Sequence, residues 1–186
     1  MIDVDPVELG RNRPLELGLA GDLDVVNCAA KFVPVDRAGQ WLDPGPLGCL
    51  GVGPPFALVA KLLRPDQRVL LVSGDGAFGL NGMELETTVR FGLPFTCIIG
   101  NDGGWGQIRS PQVSFFGETR TVATSLPTTR YDRMVEALGG RGAFITDPRE
   151  IGPALTQALA CDEVWRLNVV LDPEAYRKSG RVSMAI

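Results

Sequence analysis

The sequence predicts an α/β domain, a doubly wound and mostly parallel sheet with helices on both faces. Three observations carry this. Arg68–Ser73, Phe95–Ile99 and Val164–Leu171 are short apolar runs with the pattern of buried strands. Stretches of helical character separate such runs, and strands that alternate with helices make parallel sheets. The chain has 186 residues, 45% of them apolar and 22% charged, enough for one domain with a substantial core.

The elements follow in order. Residues 1–26 read as a small separate element with turns at Asp5-Pro6 and Asn12-Arg13-Pro14. Residues 27–55 are loop-rich: Pro34, Pro44, Pro46, Pro54 and Pro55 crowd with Gly39, Gly45, Gly48, Gly51 and Gly53. Phe56–Leu63 has helical apolar character and closes at Arg64-Pro65-Asp66. After the strand at 68–73, a helix is expected from Asn81 or Gly82 to Phe91, stopped near Gly92. The strand at 95–99 follows. Arg130–Leu138 is the next helix, Ala143–Thr146 a short strand, and Pro148–Ala160 a helix capped by Asp147 with proline at its first position. Val164–Leu171 is the last strand.

In open α/β sheets ligands bind beyond the carboxyl ends of the strands. Asp75 directly follows one strand, within Gly74-Asp75-Gly76-Ala77-Phe78. Asn101 directly follows the next, within Gly100-Asn101-Asp102-Gly103-Gly104-Trp105. A carboxylate and a carboxamide thus meet on one edge, and a hard divalent cation holding a diphosphate takes oxygen ligands of that kind. Gly74, Gly76 and Gly79 permit close backbone approach and unusual dihedrals. The amides of Gly76 and Ala77 are candidates for phosphate oxygens. Taken alone, Gly-Asp-Gly also describes an ordinary turn in which Asp75 caps a helix. Asn101, at this spacing and on this edge, favours a magnesium-diphosphate site.

Composition narrows the chemistry further. The net charge is −4, so no nucleic-acid partner is expected, and no apolar run reaches the roughly 18 residues of a membrane span. The cysteines at 28, 49, 97 and 161 form no CxxC pair and read as reduced cytoplasmic thiols, with Cys97 in a buried strand. There is no histidine, so Ser-His-Asp and Cys-His chemistry are excluded within this chain. A cofactor must then carry any hard step. Glu84 and Glu86, two apart, point to different helical faces and read as solvated charges. Arg177, Lys178 and Arg181 make a basic tail, read as a solvated terminus.

Together these residues resemble the C-terminal diphosphate-binding domain of thiamine-diphosphate-dependent enzymes, in the group of acetolactate synthase, oxalyl-CoA decarboxylase and 2-hydroxyacyl-CoA lyase. The family signature opens Gly-Asp-Gly and closes on Asn-Asn; here Gly100 stands for the first Asn and Asn101 matches the second. The resemblance implies the thiamine-diphosphate-binding fold, with Mg²⁺ held by Asp75, Asn101 and the Gly103 carbonyl. It implies cofactor contacts from Gly74, Asp75, Gly76, Ala77, Phe78, Asn101, Gly103, Gly104 and Trp105. A second matching piece is Trp41–Gly53, where a loop carbonyl at Gly48 accepts from the aminopyrimidine and the Leu50 side chain bends the cofactor. No side chain of this chain is assigned to catalysis. A dinucleotide-binding turn fits less well, because Gly48-x-x-Gly51-x-Gly53 is not GxGxxG.

Family members also carry a pyrimidine-binding domain, whose glutamate protonates the aminopyrimidine. No such domain is legible here. Residues 1–30 are expected to be a remnant of a middle domain plus a junction, and residues 31–186 a diphosphate domain with a shortened start. The resemblance therefore implies a fragment, an internal deletion or a split-enzyme subunit. It implies a small 2-oxoacid or acyl-CoA substrate, a pyrimidine-binding domain from another chain, and a homo- or hetero-oligomer. A non-catalytic assembly or regulatory paralogue docking on a full-length enzyme is the alternative. An unrelated nucleotide-binding α/β protein is the third reading.

Overall fold

The computed structural model describes residues 17–20, 29, 33–35 and 39–173. Six parallel strands form one sheet in the order β2-β1-β3-β4-β6-β5. They are β1 Leu17–Ala20, β2 Trp41–Leu42, β3 Val69–Gly74, β4 Thr96–Asn101, β5 Arg141–Ile145 and β6 Trp165–Val170. The α-helices are α1 Gly53–Leu63, α2 Asp75–Asn81, α3 Glu84–Arg90, α4 Gly106–Phe116, α5 Tyr131–Ala137 and α6 Ile151–Ala160.

Side chains alternate across each strand, so one strand feeds two cores. Val69, Leu71, Cys97 and Ile99 face one side with Ala57 and Ala60 of α1, Phe78 of α2, Leu85 of α3 and Val135 of α5. Leu70, Leu167 and Val169 face the other with Ile151, Leu155 and Ala158 of α6. Helices on both faces of a parallel sheet make the doubly wound α/β class that the apolar runs predict.

Local signals set the helix ends. Pro54 and Pro55 open α1, where the missing N–H groups cost nothing. Its Lys61 is buried, and the Nζ donates to the carbonyls of Pro65 (2.7 Å) and Gln67 (2.8 Å). The Asp147 side chain accepts from the Arg149 amide at 2.9 Å, as a cap should. A single 3₁₀ turn over Pro148–Glu150 precedes α6, so the α-helix starts three residues later than the expected 148.

Four differences from the sequence reading stand out. Within the stretch 1–26 read as a separate small element, Leu17–Ala20 forms β1, which pairs with β3 inside the sheet; apart from it and Ala29, residues 1–30 lie outside those described. Trp41–Leu42, read as loop, pairs with β1 as an edge strand. A further helix, α2, starts at Asp75 itself, ahead of the expected 81-or-82 to 91 helix, which is observed as α3 over Glu84–Arg90. Residues 106–116 form α4, which no apolar periodicity announces; Pro111 lies inside it and none of its residues is buried. Cys97 is buried in β4, and Cys49, Cys97 and Cys161 are free thiols. The basic tail with Arg177, Lys178 and Arg181 lies outside the described residues. Among the described residues no helix is long and apolar enough to cross a membrane.

Candidate functional site

The register of the sheet builds the site. Gly74 of β3 pairs with Gly100 of β4, so Asp75 and Asn101 are the next residues on neighbouring strands. Strands lie about 4.8 Å apart, which brings both side chains to one place on the carboxyl edge. Asp75 is 2% exposed and Asn101 1% exposed.

Each of these side chains keeps one oxygen without a partner. Asp75 Oδ1 accepts from the Gly76 amide at 2.9 Å, while Oδ2 is buried and accepts nothing. Asn101 Nδ2 donates to the Thr129 carbonyl and to Asn168 Oδ1, both at 3.0 Å, and its Oδ1 is buried and unpaired. Buried polar atoms are nearly always paired, and an unpaired one costs about 1–3 kcal/mol. Two such oxygens, side by side, are a donor set that a hard cation satisfies.

A relay fixes the Asn101 carboxamide. Asn168 Nδ2 donates to the Thr129 carbonyl at 2.9 Å and to Asp132 Oδ1 at 3.3 Å. Asp132 in turn accepts from Arg130 at 2.6–3.1 Å. Burial pushes the Asp132 carboxyl up, but the hydrogen bonds from Arg130 and Asn168 outweigh it and hold the carboxyl below its ordinary range. With the NH₂ committed to two acceptors, the Asn101 oxygen must face the other way. Sequence reasoning missed Thr129, Asp132 and Asn168, because their link to Asn101 spans up to 67 residues.

Electrostatics mark the same place. Burial, then the neighbouring Asp102 carboxylate, push the Asp75 carboxyl up to about 7. Burial also raises Asp102, although its contact with Asp75 and the Gly104 amide favour its charged form. The Tyr131 hydroxyl donates to the Asp75 carbonyl at 3.1 Å, and burial, then the Asp75 charge, raise its own pKa. Asp102 was not singled out in the sequence, although its place next to Asn101 was a signal.

The glycines of the first motif are needed for packing, not for dihedrals. Gly74, Gly76 and Gly79 all keep negative φ, which corrects the expectation of unusual conformations. A Cβ on Gly76 would lie 2.8 Å from the Trp105 ring, and one on Gly79 would lie 2.9 Å from the Tyr131 hydroxyl. Trp105 therefore covers the first turn of α2, with Ala77 and Phe78 fully buried beneath. The Gly76 amide is already used by Asp75.

Gly103 and Gly104 lie on a loop pinned by residues 124–126. The Gly103 carbonyl accepts from the Leu126 amide at 2.7 Å, and the Trp105 amide donates to the Thr124 carbonyl at 2.9 Å. Gly103 sits at φ +67°, where glycine is favoured.

The second expected piece approaches from the far end of α2. Gly48 has φ +58° and donates its amide to the Gly45 carbonyl at 3.0 Å; Leu50 is half-buried. Asn81 Nδ2 donates to the Gly51 carbonyl at 3.0 Å and ties this loop to α2. Asn81 lies six residues beyond Asp75, roughly 9 Å along the helix. Glu84 and Glu86 sit apart on α3, where Glu86 pairs with Arg90 at 2.9 Å. Among the described residues no three of His, Cys, Asp and Glu cluster as a metal site.

Comparison with known proteins identifies the family of the chain. Residues 24–169 match the family described as "Thiamine pyrophosphate enzyme, C-terminal TPP binding domain". The chain is 45% identical over 154 residues to the "Probable acetolactate synthase" of Mycobacterium bovis, covering 83% of this chain and 28% of that protein. It is 44% identical over 127 residues to human "2-hydroxyacyl-CoA lyase 2", covering 68% and 20%. It is 36% identical over 145 residues to "2-hydroxyacyl-CoA lyase" of Oryza sativa, covering 76% and 25%. The chain thus spans 20–28% of the length of these relatives. It belongs to the thiamine pyrophosphate enzyme family, through that family's C-terminal TPP binding domain.

Proposed function

We propose, from membership of that family, that this chain binds thiamine diphosphate through Mg²⁺ and forms the diphosphate half of the cofactor site in a 2-oxoacid decarboxylase, carboligase or 2-hydroxyacyl-CoA lyase. One observation carries the reading: Asp75 Oδ2 and Asn101 Oδ1 are buried, adjacent and without partners. The donor set fits the group, since Mg²⁺ is commonly held by one or two carboxylates together with the phosphates of its ligand.

In this reading Asp75 and Asn101 hold the ion. The Gly103 carbonyl offers its second lone pair, the first being taken by Leu126. Gly74, Gly76, Ala77, Phe78, Gly104 and Trp105 form the wall against which the diphosphate rests. The Gly48 carbonyl receives the aminopyrimidine, and Leu50 sets the bend of the cofactor. When bound, thiamine diphosphate supplies the carbanion chemistry that makes or breaks a C–C bond beside a carbonyl. The chain's own part is to bind and orient.

The activating glutamate comes from a pyrimidine-binding domain in another chain, and the assembly is an oligomer. Exposed apolar side chains at the site support that partner. Leu47 is 88% exposed in the loop beside Gly48, and Leu80, next to Gly51, is 57% exposed. The substrate is a small 2-oxoacid or an acyl-CoA. A cytoplasmic location fits the free thiols at 49, 97 and 161.

The outward side of α1 favours a second reading, an assembly or regulatory module that docks on a complete enzyme. Phe56, Val59, Leu62 and Leu63 are all exposed there.

Calorimetric titration of the purified chain with thiamine diphosphate separates these readings. Binding that requires Mg²⁺ is the expected result. Absence of binding with Mg²⁺ present leaves the docking module.

A further inference from the structure

The amino edge of the sheet, opposite the edge that carries Asp75 and Asn101, holds a cleft of about 300 Å³. Arg68, directly before β3, and Thr96, the first residue of β4, line it. Lys61, in the last turn of α1, lines it too, as do Asp162 and Glu163 between α6 and β6. The six residues of β3 separate Arg68 from Asp75, roughly 20 Å along the strand. The volume is at the small end for ligand sites.

Two cations of this cleft have no anion. Lys61 is 8% exposed, and its Nζ gives two of its three donors to the Pro65 and Gln67 carbonyls, which are neutral. Arg68 is half-buried, and its Nη1 is buried and donates to nothing. Among the described residues neither Lys61 nor Arg68 makes an ion pair. The acids of the cleft do not supply one: Glu163 pairs with Arg141, and Asp162 is exposed and joins no ion pair. Buried charges are usually paired, and a buried donor without a partner is costly. One oxyanion satisfies both groups, because a guanidinium fork matches two of its oxygens and an ammonium adds a point charge.

We infer that this cleft binds a small oxyanion of the size of phosphate, held by the Arg68 guanidinium and the Lys61 ammonium. The bound anion joins the end of α1 to the start of β3. The site shares no residue with the cofactor site proposed above and stands independently of it.

Calorimetric titration of the full chain with inorganic phosphate, at constant ionic strength and with divalent cations chelated, tests this. Saturable binding to the wild type is expected, unchanged in Asp75→Ala and at least tenfold weaker in Arg68→Gln. Magnesium-dependent affinity for thiamine diphosphate stays the same in Arg68→Gln. If Arg68→Gln does not fold, Arg68→Lys, which keeps the charge but not the fork, replaces it: a several-fold weakening there supports the site, and full affinity overturns it. Undiminished phosphate binding in a folded Arg68→Gln overturns the inference, and so does no saturable binding by the wild type. Loss of phosphate binding in Asp75→Ala places the anion at the carboxyl edge and also overturns it.

Discussion

Arg166 in β6 and Asp75 at the end of β3 are both buried polar groups with unpaired atoms, yet their surroundings differ. The Arg166 guanidinium lies 4.2 Å from the Phe95 ring centroid and 6.0 Å from that of Phe78. Its Nη1 donates to the carbonyls of Trp165 at 2.6 Å and Phe95 at 3.3 Å, while Nε and Nη2 donate to nothing. Burial pulls it down to about 10. It is a cation walled in by rings, at the second residue of β6, with no carboxylate among its partners in the described residues. Asp75 instead sits where the strand ends, beside a second carboxylate and a fixed carboxamide oxygen. Among the described residues Arg166 makes no ion pair, and its unpaired atoms read as a stability cost. Those of Asp75 and Asn101 have neighbours of the same ligand type and read as a site. Which end of the strand each occupies makes the difference: Arg166 lies at the amino end of β6, whereas Asp75 follows the carboxyl end of β3, where the loops bring in further oxygen donors.

The largest effect expected on this contrast comes from Asp75→Ala. Magnesium-dependent affinity for thiamine diphosphate should fall at least about a thousandfold, roughly 4 kcal/mol, with the circular dichroism spectrum unchanged. Retained affinity in the calorimeter would remove the metal assignment and the contrast with it.

The next effect is on stability in the absence of divalent cations. The folded-state pKa of Asp75, about 7, lies above its ordinary value of 3.8. Between those values the native state binds the extra proton, so stability falls as pH rises from about 4 to about 7 and stays low above that. The change is on the order of 4 kcal/mol. Chemical denaturation between pH 5 and 8 measures it, and Asp75→Asn should flatten the slope. An equal slope in that variant would assign the effect to other groups.

The smallest effect belongs to the other pole. Arg166→Leu should raise stability by about 2 kcal/mol, because an apolar side chain removes the desolvation cost of the buried guanidinium. Cofactor affinity should not change. A destabilised Arg166→Leu would mean that the two carbonyl bonds and the ring contacts outweigh desolvation, and that Arg166 is a structural anchor.

The sequence by itself determined the alternation of apolar strands and helices, and with it the placing of Asp75 and Asn101 on one edge. Both follow from local patterns: a buried parallel strand must be apolar along its length, and its end is visible where Gly74 and Gly100 break the run. Where local patterning is weak, the sequence was silent. The helix over 106–116 has no buried face to give it a period, and β1 and β2 are short strands, β1 held by pairing with distant β3 and β2 by pairing with β1. Only the tertiary structure decided that Asn168 and Thr129 turn the Asn101 oxygen outward, and that Trp105 and Tyr131 explain Gly76 and Gly79. The physical reason is common to all of these. Each is a contact between residues brought together by strand register and loop closure, and such contacts leave no periodicity along the chain.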